Sequence, residues 1–167
     1  MRNIHTRSRI PLRSGCLMVC LLSGCIGLGP DEEHIVVSSI EVNDNEGNGT
    51  GSMEVEVHLY DFASDALLGC AGLADVDVGL TRYKTDRRFQ LSSPSSDNAL
   101  RLIDVEEREV YLWVVERDLG ECPEPFNNHE DDIIGRSLPF PGVMLAENRD
   151  MSFERVVHLR LGAGAIR

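Results

Sequence analysis

The sequence predicts an all-β fold, an antiparallel β-sandwich of about eight strands. Three observations support this prediction. Apolar and polar residues alternate in several short stretches, as they do in strands that bury one face. Glycine, proline, asparagine and aspartate recur between these stretches and supply turns. No window of about a dozen residues has the apolar spacing of an amphipathic helix.

The first three predicted strands are Ile35–Val42, Met53–Tyr60 and Leu73–Thr81. β-Branched residues dominate the first strand and favour extended backbone. In the second strand, valine and leucine alternate with glutamate and histidine, so one face should be buried and the other solvated. The stretch Asn43–Gly51 between these two strands is rich in asparagine and glycine and predicts a long turn.

Glu109–Glu116 is the strongest predicted strand of the second half. Apolar residues on both of its faces predict a central strand, with Trp113 in the core. Phe153–Leu161 alternates again and closes the set, and we expect His158, like His58 upstream, on a solvated face. Shorter candidate strands complete the prediction: Arg88–Leu91, Ala99–Ile103, Ile133–Ile134 and Val143–Leu145.

The net charge of −12 is unevenly distributed. Four arginines at positions 2, 7, 9 and 13 precede the first acidic residue, Asp31. Without them, 12 of the 16 basic residues remain against 28 acidic ones, a balance of −16. Such a domain should repel nucleic acid and anionic lipid at long range and could attract cations. The alternative is that this charge only keeps the domain soluble.

The N-terminus has the features of an export signal. Residues 1–13 are basic and lack acids, and the apolar run that ends at Leu22 is shorter than the ~20 residues needed to span a bilayer. The small residues Ser23 and Gly24 follow, and then Cys25. Leu22-Ser23-Gly24-Cys25 resembles the lipobox of bacterial lipoproteins. The alternatives are an ordinary signal peptide with an incidental cysteine, or a buried apolar strand.

The lipobox resemblance implies cleavage before Cys25 and acylation of its thiol and amino group, palmitate being a typical acyl chain. Two or three acyl chains hold a protein stably on a membrane. Ile26 follows the anchor, and the absence of aspartate there favours the outer over the inner membrane of the cell envelope. The predicted organisation is a signal peptide at 1–24, a lipidated cysteine with a short tether at 25–34, and a β-sandwich at 35–167.

Of the five cysteines, Cys16 and Cys20 lie in the signal and Cys25 carries lipid, which leaves Cys70 and Cys122. The compartment outside the cytoplasm is oxidising, so these two predict a single disulfide. Closing a loop of ~50 residues would stabilise the fold by roughly 4 kcal/mol. The alternative is a pair of free buried thiols.

A hydrophobic strand runs into Glu116-Arg117-Asp118, and after a loop comes Asp132-Ile133-Ile134-Gly135. This arrangement resembles the third calcium loop of C2 domains, in which carboxylates from two loops converge on Ca²⁺ at one end of a sandwich. The resemblance extends weakly upstream, across about residues 53–145. It implies these calcium ligands: Asp65, Asp75, Glu116, Asp118 and Asp132. A Cys70–Cys122 bond would then join the two loops and could hold them in place of calcium.

The sequence therefore predicts a lipid-anchored envelope lipoprotein that acts as a binding or interaction module, with calcium as a candidate cofactor. The alternative is a structural envelope lipoprotein without metal, stapled by its disulfide. We expect that the protein is not an enzyme, because its histidines are scattered along the sequence and no Gly-x-Ser-x-Gly nucleophile motif is present. The expected partners are the membrane, through the anchor, and an envelope protein or ligand that the sequence does not specify. We expect no nucleic acid.

Overall fold

The computed structural model describes residues 33–43, 53–76, 82–85, 87–94, 98–117, 122 and 131–164. These residues form strands and two 3₁₀ turns and contain no α-helix. The strands are β1 (His34–Asn43), β2 (Met53–Asp61), β3 (Leu67–Val76), β4 (Arg82–Thr85), β5 (Phe89–Gln90), β6 (Glu109–Arg117), β7 (Asp131–Arg136), β8 (Phe140–Pro141), β9 (Arg149–Phe153) and β10 (Val156–Gly164). The first 3₁₀ turn is Leu102–Asp104 and the second is Gly142–Ala146.

The strands form two five-stranded sheets. The first sheet has the order β4-β1-β10-β9, with β5 also paired to β1. The second sheet has the order β3-β2-β6-β7, with β8 also paired to β6. Every pairing is antiparallel. The predicted antiparallel β-sandwich is therefore confirmed.

One core lies between the two sheets and is built by the period of two that strands impose on side chains. The first sheet contributes residues such as Ile35, Val37 and Leu161, and the second contributes Val57 and Leu112, all of them fully buried. Removing these apolar surfaces from water drives the two sheets together.

The strand boundaries depart from the sequence prediction in several places. The predicted strand Ala99–Ile103 runs into the first 3₁₀ turn at Leu102–Asp104, and Ala99 and Arg101 make only isolated bridges. β3 begins six residues before Leu73, at Leu67, and continues to Val76. The stretch predicted as one strand over Phe153–Leu161 contains the turn between β9 and β10, where Glu154 adopts a left-handed φ of 48°. The predicted strand Val143–Leu145 is part of the second 3₁₀ turn. Short apolar stretches do not distinguish strands from tight turns, which explains this last error.

The end of the sandwich at which β1 begins is called the N-terminal end below. It contains the turn at 62–66, both 3₁₀ turns and the start of β6. Glu33 accepts a hydrogen bond from the amide of Leu102, so the first 3₁₀ turn is fixed beside the start of β1. A side chain on Gly142 would overlap the carbonyl oxygen of Val105, which shows how closely the second 3₁₀ turn packs against the segment before β6.

Candidate functional site

The outer face of the second sheet carries a group of stacked aromatic rings. Tyr60 on β2 is opposite Tyr111 on β6, and the two rings stack with centroids 5.4 Å apart. Trp113, two residues further along β6, lies 6.1 Å from the Tyr60 ring. Phe62 meets the Tyr111 ring edge-on at 6.3 Å. These are favoured geometries for aromatic pairs.

Arg136 on β7 covers part of this group. It is opposite Trp113 in the strand register. Its guanidinium carbon lies 4.4 Å from the centroid of the Tyr111 ring and 5.4 Å from that of Trp113. Both distances are within the range of cation–π attraction, which holds the guanidinium over the rings. The aromatic face, as named below, consists of Tyr60, Phe62, Tyr111, Trp113 and Arg136.

The aromatic face is anchored by a buried ring and is open to solvent at its rim. Tyr111 is only 2% exposed, whereas Phe62 is 47% exposed and Arg136 is also exposed. Tyr60 and Trp113 are half-buried. Trp113 therefore packs on the outside of the sheet, not in the core that the sequence predicted. The alternation of β6 places Val114 inward and Trp113 outward, which an apolar stretch alone does not reveal.

The hydroxyl of Tyr111 donates a hydrogen bond to a carboxylate oxygen of Asp65. Burial, and then this hydrogen bond, raise the pKa of Tyr111 to about 12. Asp65 occupies the turn between β2 and β3 with a φ of 57°, a backbone conformation that aspartate tolerates better than most residues. Asp65 thus holds the buried end of the aromatic face.

A buried polar pair continues the same face along β2. The Glu56 carboxylate lies 2.7 Å from Nε2 of His58, and the two residues are 5% and 0% exposed. The backbone amide of Cys122 donates a 3.0 Å hydrogen bond to the other oxygen of Glu56. Nδ1 of His58 lies 3.5 Å from the hydroxyl of Tyr60. The prediction of a solvated His58 was wrong.

The disulfide lies beside His58 on the same face of the sheet. Cys70 and Cys122 are bonded, with their Cα atoms 5.8 Å apart, so the predicted pairing is present. Cys70 lies in the middle of β3, opposite His58, and not in a loop at the end of the sandwich. The disulfide therefore holds Cys122 across the outer face of the second sheet instead of joining two end loops.

The strand register brings the backbones of only some of the predicted calcium ligands near one another. Glu116 on β6 is opposite Asp132 on β7. Asp75 on β3 is opposite Glu54 on β2, at the same end of the sheet. Since β2 separates β3 from β6, the backbones of Asp75 and Glu116 are about 10 Å apart, given a strand spacing of about 4.8 Å.

Asp65 lies at the other end of the second sheet. Asp65 contacts Tyr111 on β6. Glu116 lies about 17 Å further along the same strand, at a rise of about 3.4 Å per residue. Ligands of one calcium ion all lie within about 2.6 Å of it, so Asp65 cannot share an ion with Glu116. Cys25 and Asp118 lie outside the described residues. Within the part of the chain that the structure describes, no three His, Cys, Asp or Glu side chains form a metal-binding group.

A cleft of 770 Å³ at the N-terminal end is lined by His34 and by three charged side chains. Arg101 donates hydrogen bonds of 2.8 and 2.9 Å to Asp104, and Arg108 lies 2.5 Å from Asp61. The guanidinium of Arg101 lowers the pKa of Asp104, and that of Arg108 lowers the pKa of Asp61. Because both arginines are paired with carboxylates, the cleft has little positive charge for an anionic ligand. The sequence analysis did not identify it.

The outer face of the first sheet is polar. The hydroxyl of Ser39 lies 2.9 Å from Nε2 of His158. The carboxylate of Asp150 lies 3.7 Å from the same nitrogen and 4.0 Å from the guanidinium of Arg160. His158 is half-exposed, as predicted for the solvated side of a strand. The side chains of His158 and Arg160 are 40% and 49% exposed, so spacing along the strand predicted their solvation correctly.

No family model matches the chain, and no curated protein or solved structure matches it significantly. Within the described ranges, no helix is both long enough and apolar enough to cross a bilayer.

Proposed function

We propose that the chain is a lipid-anchored lipoprotein of the cell envelope that binds a partner protein through its aromatic face and catalyses no reaction. The aromatic face is the observation that carries the proposal. Protein interfaces are enriched in tyrosine, tryptophan, phenylalanine and arginine, and the binding energy is concentrated in a few such residues. The outer face of a sandwich sheet otherwise favours polar side chains, as on the first sheet here.

The arrangement of the face suits it to binding without a large conformational change. Tyr111 is buried and fixed by Asp65, and Arg136 is held over two rings. The rings of Tyr60, Phe62 and Trp113 keep part of their surface accessible. Side chains ordered before binding lose less entropy when a partner covers them. This preorganisation favours binding of a specific partner over nonspecific hydrophobic adsorption.

The anchor is proposed from the sequence 22–25. Acylation of Cys25 after cleavage would place the sandwich at a membrane surface, and Ile26 favours the outer membrane. In cells, we expect mass spectrometry to find the mature N-terminus at Cys25 with attached acyl chains. The Cys25→Ser variant should lose the acyl chains and leave the membrane fraction. An acyl-free wild-type chain with residues 1–24 still attached would refute the anchor.

Partner binding is tested with the lipidated protein purified in detergent and used to recover its partner from solubilised envelopes. Combining Tyr60→Ala with Trp113→Ala should lower recovery by at least about tenfold, because two interface aromatics each contribute about 1–2 kcal/mol. The matched control combines His158→Ala with Arg160→Ala on the other sheet and should leave recovery unchanged. If the sandwich were only structural, both double variants would recover the same proteins in the same amounts.

Calcium binding is a second candidate function, supported by the pairing of Glu116 with Asp132 across neighbouring strands. Asp118, which follows β6, and Asp75 would complete the ligand set, since Ca²⁺ takes six to eight oxygen ligands. We expect millimolar calcium to raise the Tm of the wild-type chain, and to have no effect on the Asp132→Asn and Glu116→Gln variants. An unchanged wild-type Tm, with no heat in a calorimetric titration, would exclude this site.

A further inference from the structure

Exposed apolar side chains are concentrated at the N-terminal end of the sandwich. Ile103 in the first 3₁₀ turn is 66% exposed, and Val143 and Met144 in the second are 54% and 43% exposed. Leu138, just before β8, is 85% exposed. The apolar end patch, as named below, consists of Ile103, Leu138, Val143 and Met144. In a soluble domain, an exposed group of this kind marks a contact surface.

Part of the patch lies beside the start of β1. The carbonyl of Glu33 accepts a hydrogen bond of 2.9 Å from the amide of Leu102. This bond places Ile103 beside the start of β1. The amide of Gly142 donates a 2.7 Å hydrogen bond to Arg108, which follows the first 3₁₀ turn. The two 3₁₀ turns are therefore neighbours, and both expose apolar side chains at this end of the sandwich.

The distance between this surface and the proposed anchor is short. Even a fully extended chain from Cys25 to His34 reaches at most about 30 Å. The end of the sandwich that carries the patch is also the end at which this tether joins it. A membrane that holds the acyl chains of Cys25 therefore lies within reach of the patch, whereas the ends of β2 and β6 farthest from His34 are a strand length further away.

We propose that the apolar end patch rests on the bilayer into which the lipid of Cys25 is inserted, so that the sandwich stands upright on the membrane. This inference rests on the proposed lipid anchor. Contact with acyl chains would remove the four side chains from water, and their apolar area supplies the attraction. The acidic charge of the domain opposes contact with anionic lipid at long range, so the contact depends on the tether.

The charged groups around the patch fit a shallow contact. Arg149 approaches the sulfur of Met144 at 2.7 Å, at the edge of the patch. Its guanidinium can meet a lipid phosphate at the level of the head groups. Glu107 and Glu109 are exposed nearby and would resist deeper insertion into hydrocarbon. An upright orientation leaves Tyr60 and Trp113 of the aromatic face on the side of the molecule, open to a partner.

Membrane contact is tested with the lipidated protein in vesicles of phosphatidylethanolamine and phosphatidylglycerol that contain a spin-labelled lipid. Single cysteines at Ile103→Cys and Val143→Cys carry a bimane fluorophore, while Cys70 and Cys122 remain oxidised. Matched controls of the same residue types are Ile133→Cys, near the opposite end, and Val157→Cys on β10. We expect the spin label to quench bimane at 103 and 143 by roughly half or more, and to leave 133 and 157 almost unquenched.

Equal quenching at all four positions, or none at 103 and 143 in protein that floats with the vesicles, would overturn the inference. Bimane at 103 and 143 that is shielded from water in the absence of lipid would also overturn the inference. In monomeric protein the tether would then cover the patch, and in dimeric protein a second copy would cover it. Failure of the anchor itself is seen separately, because a chain without acyl groups does not float with the vesicles.

Discussion

The two outer faces of the sandwich differ although both are built by the same alternation of strand residues. On the first sheet, Ser39, His158 and Arg160 point outward and interact within reach of water. On the second sheet, His58 occupies an equivalent outward position and is fully buried. On the second sheet, a disulfide and a group of aromatic rings lie beside the buried histidine. On the first sheet, Glu41 is also withdrawn from water at 7% exposure, whereas the side chain of His158 opposite it keeps 40% of its surface accessible.

This comparison shows that an outward-facing position does not determine solvation. Cys122, held by the bond to Cys70, donates its amide to Glu56 and closes over the pair formed with His58. The disulfide thus helps to bury polar side chains on part of the outer face of the second sheet. The aromatic face begins where that cover ends, at Tyr60, and is the part that remains available to a partner.

Removing the disulfide should have the largest effect on this difference. The variant combining Cys70→Ala with Cys122→Ala should lose about 4 kcal/mol of unfolding free energy in urea, because a loop of 52 residues is no longer closed in the unfolded chain. Hydrogen exchange should rise in β2 and β3 and remain unchanged in β9 and β10. A loss below about 1 kcal/mol, or equal exchange in both sheets, would show that the bond does not create the difference.

Replacing one histidine on each face sharpens the comparison. His58→Ala removes a partner that lies 2.7 Å from a buried carboxylate and should cost about 3 kcal/mol in unfolding free energy. His158→Ala breaks only partly exposed contacts and should cost less than about 1 kcal/mol. Urea unfolding of both variants measures the two values. Similar costs for the two histidines would contradict the assignment of one buried and one accessible histidine.

A smaller effect is expected from the tyrosine that anchors the aromatic face. Its folded-state pKa of about 12 exceeds the ordinary value of 10, so the neutral phenol stabilises the fold up to about pH 10. This contribution is lost as the pH rises towards 12. An ultraviolet titration of the folded chain should show one of its three tyrosines ionising late. Asp65→Asn should lower that pKa, and an unchanged late step would contradict the Tyr111–Asp65 contact.

The alternation of residues in the sequence was sufficient to predict the sandwich. Val55, Val57 and Leu59 alternate with polar residues in β2, and their side chains enter the core. The cysteine count was sufficient to predict the disulfide, because only two cysteines remain after the proposed signal and anchor. The first prediction depends on a local pattern and the second on the number of cysteines. Both can be read directly from the sequence.

The candidate site required information that the sequence pattern does not contain. Tyr60 and Tyr111 are far apart in the chain, and only the register between β2 and β6 brings their rings together. The same register separates Asp65 from Glu116, although a resemblance in sequence suggested that they meet. The position of Cys70 in a strand, instead of a loop, moved the disulfide from the end of the sandwich to its face.

The most direct test of the account is photo-crosslinking in cells from matched positions on the two faces. A benzophenone amino acid replaces Tyr60 or Phe62 on the aromatic face, and Val157 or Arg160 on the first sheet. We predict that the two aromatic-face positions crosslink to one and the same envelope protein, and that the two first-sheet positions give no discrete product. Identical products from both faces, or a discrete product from the first sheet alone, would contradict the claim that the aromatic face is the binding surface.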